Sequence, residues 1–142
     1  MSVRKGYAEW KGDLKRGSGT LGTETGILNN VPYNFLSRFG AGPDTNPEEL
    51  LGAAHAACYS MALAAAISGA GFKVNSVKTT DEVHIDKQGD GFAIVRIDVS
   101  TEASAEGIDE GTFLKLAEDT KKNCPVSKAL SSTPMTLKAT LK

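Results

Sequence analysis

The chain has 142 residues, 16 basic against 17 acidic, a formal charge of -1, and 40% hydrophobic and 23% charged residues. At roughly 150 residues per domain, this length predicts one domain over 1–142 and argues against a two-domain architecture. The interleaved charges hold no basic block that could neutralise a row of phosphates, which excludes nucleic acid as an expected partner, and the apolar content excludes a disordered chain. Met1 to Trp10 alternates charged and apolar residues without the continuous apolar run of a secretory signal, so the expected location is cytoplasmic.

From Val3 to about Phe39 the pattern is short and strand-like, and its many Gly, Thr and Ser residues predict two or three strands joined by tight turns. A loop over Gly40 to Thr45 leads to a marked helix start. Asn46 can cap, Pro47 suits the first helical position, and Glu49 stands at capping-box spacing. Ala-rich sequence continues to Ser68, and Gly69-Ala70-Gly71 supplies the left-handed geometry that ends helices. Leu50 to Ile67 reaches the lower length limit for a membrane span, but His55 and Tyr59 interrupt it and no basic or aromatic anchors flank it. The expectation is a long central helix buried in protein, with no membrane partner.

Beyond it, Val77, Thr79, Asp81, Val83 and Ile85 share one parity, and Ala93, Val95, Ile97 and Val99 repeat the alternation after Gln88-Gly89-Asp90-Gly91, which predicts a β-hairpin. A second helix is expected over Asp109 to Lys122, then a short one from Pro125 through Leu130, and an alternating strand over Met135 to Leu141. Such segregated runs predict an α+β fold with antiparallel sheets packed around helices. A helix apolar on all sides needs more cover than so small a domain supplies, which points to a dimer.

Gly17-Ser18-Gly19-Thr20-Leu21-Gly22 matches a dinucleotide-binding fingerprint only formally, because no helix opens after it; turns and close backbone contacts are the expected role of these glycines. His55, Cys58, His84 and Cys124 lack the second close pair of a zinc site, and His84 falls on a polar strand face with Glu82 and Asp86. His55 reads as a hydrogen-bonded residue lining the helix. Cys58, taken alone, reads as core. Cys124, just before Pro125, sits where an N-cap would be, and helix amides with Lys121 and Lys122 nearby would stabilise its thiolate. For Cys58 to be a nucleophile a cation must come from elsewhere, and Arg38, among apolar neighbours, is the candidate; the competing reading of Arg38 is a surface arginine in a loop.

Thr45-Asn46-Pro47-Glu48-Glu49-Leu50, followed by Ala53-Ala54-His55-Ala56-Ala57-Cys58 and then Asn123-Cys124-Pro125-Val126-Ser127, resembles the osmotically inducible protein C and organic hydroperoxide resistance family, more closely its osmotically inducible branch. The resemblance runs from Lys5-Gly6 through the closing strand. It implies a thiol peroxidase that prefers organic hydroperoxides, needs no metal, flavin or haem, takes electrons from an external dithiol, and works as an intertwined homodimer with shared sites. It also implies Cys58 as the peroxidatic and Cys124 as the resolving cysteine, with Arg38 and Glu48 as the pair that activates Cys58. Glu48 and Cys58 are ten residues apart, about 15 Å along a helix, so if both serve one site Glu48 is expected from a partner chain. From the residues alone, two rivals stand: a small-ligand-binding stress protein, and a redox sensor whose disulfide alters partner binding.

Overall fold

The computed structural model describes the whole chain, residues 1–142. Strands β1 (Gly6–Lys11), β2 (Ser18–Thr23) and β3 (Val31–Tyr33) form one antiparallel sheet in that order. Gly19 faces the Trp10–Tyr33 ring pair, whose centroids are 5.4 Å apart. A Cβ at Gly19 would lie 2.6 Å from Tyr33 and 2.7 Å from Trp10, and one at Gly17 would lie 2.4 Å from the Asp13 carbonyl. The glycines of the formal fingerprint thus serve close packing inside a sheet, as expected.

Helix α1 (Phe35–Phe39) corrects the expectation of strand and loop around Arg38. Asn34 and Ser37 build a reciprocal capping box, with the Ser37 amide donating to Asn34 Oδ1 at 3.0 Å and the Asn34 amide to Ser37 Oγ at 2.9 Å. Two capping bonds stabilise even a single turn, and Arg38 therefore projects from its last turn. Asn46 caps helix α2 (Pro47–Gly69) by accepting the Glu49 amide at 2.8 Å. At the other end Gly71, with φ of +95°, lets the Phe72 amide turn back to the Ile67 carbonyl.

Two compact units make up the chain, Met1–Leu50 and Leu51–Lys142. In the second, β4 (Lys73–Gln88) and β5 (Gly91–Glu106), each of 16 residues, form an antiparallel hairpin about a turn at Gly89-Asp90. Register shifts between Val74 and Ser76 and between His84 and Ile85 interrupt the simple alternation, the latter pairing His84 with Arg96 and Ile85 with Ile94. Helix α3 (Glu110–Asn123), capped by Asp109, and helix α4 (Pro125–Ala129) return the chain to β6 (Met135–Leu141). Because this return is a helical crossover, β6 lies parallel to β5, so the second sheet is mixed and the expectation of antiparallel sheets fails there.

Tyr59, Leu63 and Ile67 of α2, Ala103 of β5, Phe113 and Ala117 of α3, and Cys124 form the core of this unit. Along α2 the buried positions recur at Gly52, His55, Tyr59, Leu63 and Ile67, while Ala53, Ala57, Met61 and Ala65 are exposed. The helix is long and apolar enough to cross a membrane by length and composition. Within the single chain, however, it buries one face rather than all of them.

Candidate active site

Both cysteines belong to the second unit, and both are free thiols. Cys58 lies mid-α2, one turn beyond His55, half-buried against the core. Cys124 is 2% exposed and closes α3 with its amide on the Thr120 carbonyl at 3.0 Å. It also caps α4, accepting the Ser127 amide at 3.3 Å on Sγ. The cap position read from Cys124-Pro125 is therefore real, and Pro125 takes the first turn of α4 without losing a bond it would need.

The two sulfurs are close enough that each perturbs the other. Burial pushes the Cys58 thiol up, partly offset by the Val126 amide, and charge on Cys124 raises it further. Burial alone would raise Cys124 as well, but the Ser127 hydroxyl and amide, then Cys58 and the His55 charge, bring it below the usual thiol value. The expected help from lysines is replaced by these groups, and Lys121 is paired instead with Glu118 at 2.8 Å. In this unit Cys124 carries the more stable thiolate and Cys58 has the greater access to solvent.

Behind Cys124 runs a buried polar chain. Its sulfur and Ser127 Oγ are 2.9 Å apart, Ser127 Oγ and His55 Nε2 are 2.7 Å apart, and His55 Nδ1 bonds to Asp81 Oδ2. The His55 and Asp81 side chains are fully buried, and Asp81 Oδ1 has no hydrogen-bond partner. Burial alone would lower the imidazole pKa; the Asp81 carboxylate outweighs it, aided by Cys124, and the net shift is upward. His55 thus does more than line the helix. Ser127 and Asp81 are site residues that sequence reasoning misses, although each carries a signal: Asp81 is an acid that shares its strand parity with Val77, Val83 and Ile85, and Ser127 stands three residues after a capping cysteine.

His84 does not join these groups. Its Nε2 bonds to Asp98 at 2.9 Å, and Arg96 holds the same carboxylate at 3.0 Å, so the half-exposed carboxylate already has a cation. In the first unit, Arg38 Nε and Nη2 both donate to Glu48 Oε1, at 3.0 and 2.9 Å. Glu48 is 6% exposed and its Oε2 has no hydrogen-bond partner. The structure therefore brings together the two predicted pairs, Cys58 with Cys124 and Arg38 with Glu48. Arg38 also stacks on Phe39, its guanidinium carbon 5.2 Å from the ring centre, and lines a cavity of about 210 Å³ with Trp10, Leu14, Tyr33 and Phe35.

The sequence model of the family described as OsmC-like protein matches residues 40–139. Peroxiredoxin OsmC of Escherichia coli (strain K12) is 50% identical over 129 residues, spanning 91% of this chain and 90% of that protein. Among solved structures, an OsmC-like protein from Mycoplasma pneumoniae superposes with a TM-score of 0.73 at 14% identity, covering 99% of this chain and 97% of that one. An organic hydroperoxide resistance protein OsmC from Legionella pneumophila gives 0.68 at 23% identity, covering 100% and 99%. These two likenesses establish the fold. With half its residues shared along nine-tenths of a peroxiredoxin, and with two neighbouring thiols in the same unit, the chain belongs to the OsmC-like protein family and is a cysteine-based peroxidase.

Proposed function

We propose that this protein reduces organic hydroperoxides, and hydrogen peroxide less efficiently, through a Cys58 sulfenic acid that Cys124 resolves as an intramolecular disulfide. The observation that carries this reading is the contrast in access between two adjacent thiols, half-exposed Cys58 and enclosed Cys124. A thiolate at Cys58 attacks the peroxide O–O bond, the alcohol leaves, and Cys58–S–OH remains. Attack by the Cys124 thiolate then forms the S–S bond and expels hydroxide, which leaves as water. An external dithiol restores both thiols, and the whole chain, 1–142, acts as one cytoplasmic peroxidase domain.

Arg38 and Glu48 are proposed to activate Cys58, the guanidinium favouring its thiolate and steadying charge on the departing oxygen. Support comes from the fixed orientation of Arg38 by two bonds to one buried carboxylate oxygen. The aromatic wall beside Arg38 supports a preference for peroxides with an apolar tail. Because ten helical residues span about 15 Å, the pair is proposed to act from the partner chain of a homodimer. The exposed stripe of Ala53, Ala57 and Met61, the last 74% exposed, supports such pairing along α2.

Peroxide consumption with a dithiol reductant tests the reading. Repeated turnover is expected, faster with cumene hydroperoxide than with hydrogen peroxide. Thiols that stay unreacted in folded protein would contradict it, and a single oxidation without turnover would favour a sensor.

A further inference from the structure

We propose that Asp81, His55 and Ser127 form a buried proton relay dedicated to Cys124, so that Ser127 and His55 deprotonate the second cysteine for attack on the oxidised first one. This rests on the reading of Cys124 as the resolving thiol. The geometry is a continuous line of three contacts: the Cys124 sulfur to Ser127 Oγ at 2.9 Å, Ser127 Oγ to His55 Nε2 at 2.7 Å, and His55 Nδ1 to Asp81. The elements that supply it are far apart in sequence, since His55 is on α2, Asp81 on β4, and Cys124 and Ser127 at the α3–α4 junction.

Every donor in this line can be assigned in both proton states. With Cys124 as thiol, its S–H donates to Ser127 Oγ, the Ser127 hydroxyl donates to neutral His55 Nε2, and His55 Nδ1–H donates to Asp81. When the proton moves, the hydroxyl swings to donate to the thiolate and His55 Nε2–H donates to Ser127 Oγ. The Ser127 amide already points at the sulfur and needs no reorganisation. The new positive charge on His55 faces the Asp81 carboxylate, whose other oxygen is buried without a partner. Removing a proton from Cys124 thus creates a thiolate and an imidazolium in a site that has been built for both.

The groups facing His55 are few: Asp81 from β4, Cys124 and Ser127 from the helix junction, and the Tyr59 ring on its own helix, 6.2 Å away by centroid. None but Asp81 supplies a lasting negative charge. Ser127 touches the reacting sulfur, whereas His55 and Asp81 act through it and are positioning residues.

In the resolving step, the Cys124 electron pair forms the bond to the Cys58 sulfur while the S–O bond of the sulfenic acid breaks. The hydroxide released takes up the proton that His55 received, so one water leaves and the relay returns to its starting state. No additional oxidant or reductant enters.

Single-turnover kinetics with one equivalent of cumene hydroperoxide separate peroxide loss from disulfide formation. In Ser127→Ala and His55→Gln the second step should slow by about tenfold or more relative to any slowing of the first. Its pH profile should also move to higher pH. In a Cys58→Ser background, the thiolate absorbance of Cys124 should titrate at higher pH once Ser127→Ala is added. That titration needs no peroxide: an enzyme that fails to consume peroxide contradicts the proposed function, while an unmoved Cys124 titration overturns the relay. Equal slowing of both steps with an unchanged pH profile overturns it too, since loose packing alone would do that. Should His55→Gln fail to fold, Ser127→Ala and its titration decide.

Discussion

Cys58 and Cys124 share one core and differ in nearly everything else. Cys58 sits mid-helix, half-buried, with its pKa pushed up by burial, while Cys124 is 2% exposed and holds two bonds from Ser127 that pull its pKa down. Access and a stabilised thiolate therefore reside on different sulfurs. On the proposed reading a peroxide meets Cys58, the more accessible of the two sulfurs, and an outside cation makes it a good nucleophile. On the same reading the enclosed Cys124, whose thiolate is favoured by Ser127 and the His55 charge, attacks the oxidised Cys58 beside it.

Removing each sulfur in turn separates the two thiols by function. Cys58→Ser should reduce peroxide consumption to the uncatalysed background, measured with excess dithiol. Cys124→Ser should consume about one equivalent and stop, leaving Cys58 open to over-oxidation, which intact mass detects. Equal residual turnover in both variants would erase the distinction between them.

Arg38→Ala should have the next largest effect. It is expected to raise the pH at which Cys58 is alkylated and to slow peroxide reduction by about tenfold. It should also cost stability, because Glu48 would be left buried without its donor, an effect of about 1–3 kcal/mol in urea unfolding. Unchanged alkylation would remove Arg38 from the mechanism.

A smaller effect follows from the sign of the His55 shift. Its folded-state pKa lies above the usual 6.5, so the charged pair with Asp81 stabilises the fold fully below about 6.5, and this contribution fades as pH rises through the raised value. The stability gap between wild type and His55→Gln, read by urea unfolding, should therefore narrow as pH rises above about 6.5. Smallest is Asp109→Ala, which removes the cap of α3 and should cost about 1 kcal/mol while leaving both thiols unaltered in their titration.

Local chemistry is legible wherever one element carries its own instructions. Asn46, Pro47 and Gly71 mark α2, Gly89-Asp90 marks the hairpin, and Cys124-Pro125 marks the α3–α4 junction, and each is found in that role. What a linear reading misses is the relation between elements. The parallel pairing of β6 depends on the crossover through α3 and α4, and α1 depends on a two-residue capping box inside a strand-like stretch. The pairing of Cys58 with Cys124 comes from family resemblance, since 66 residues separate them (124 − 58). His55 to Ser127 spans 72 residues and is carried by no local pattern. Asp81 is visible as an acid among Val77, Val83 and Ile85 on one strand parity, but its partner His55 is on another element.

The division of labour between the two thiols is read by intact mass after one equivalent of cumene hydroperoxide is added to reduced wild-type protein and to Cys58→Ser. Loss of two hydrogens within one wild-type chain is expected, with an unchanged mass for Cys58→Ser. An oxygen gained at Cys124 in Cys58→Ser, as fast as the wild type reacts, would contradict it.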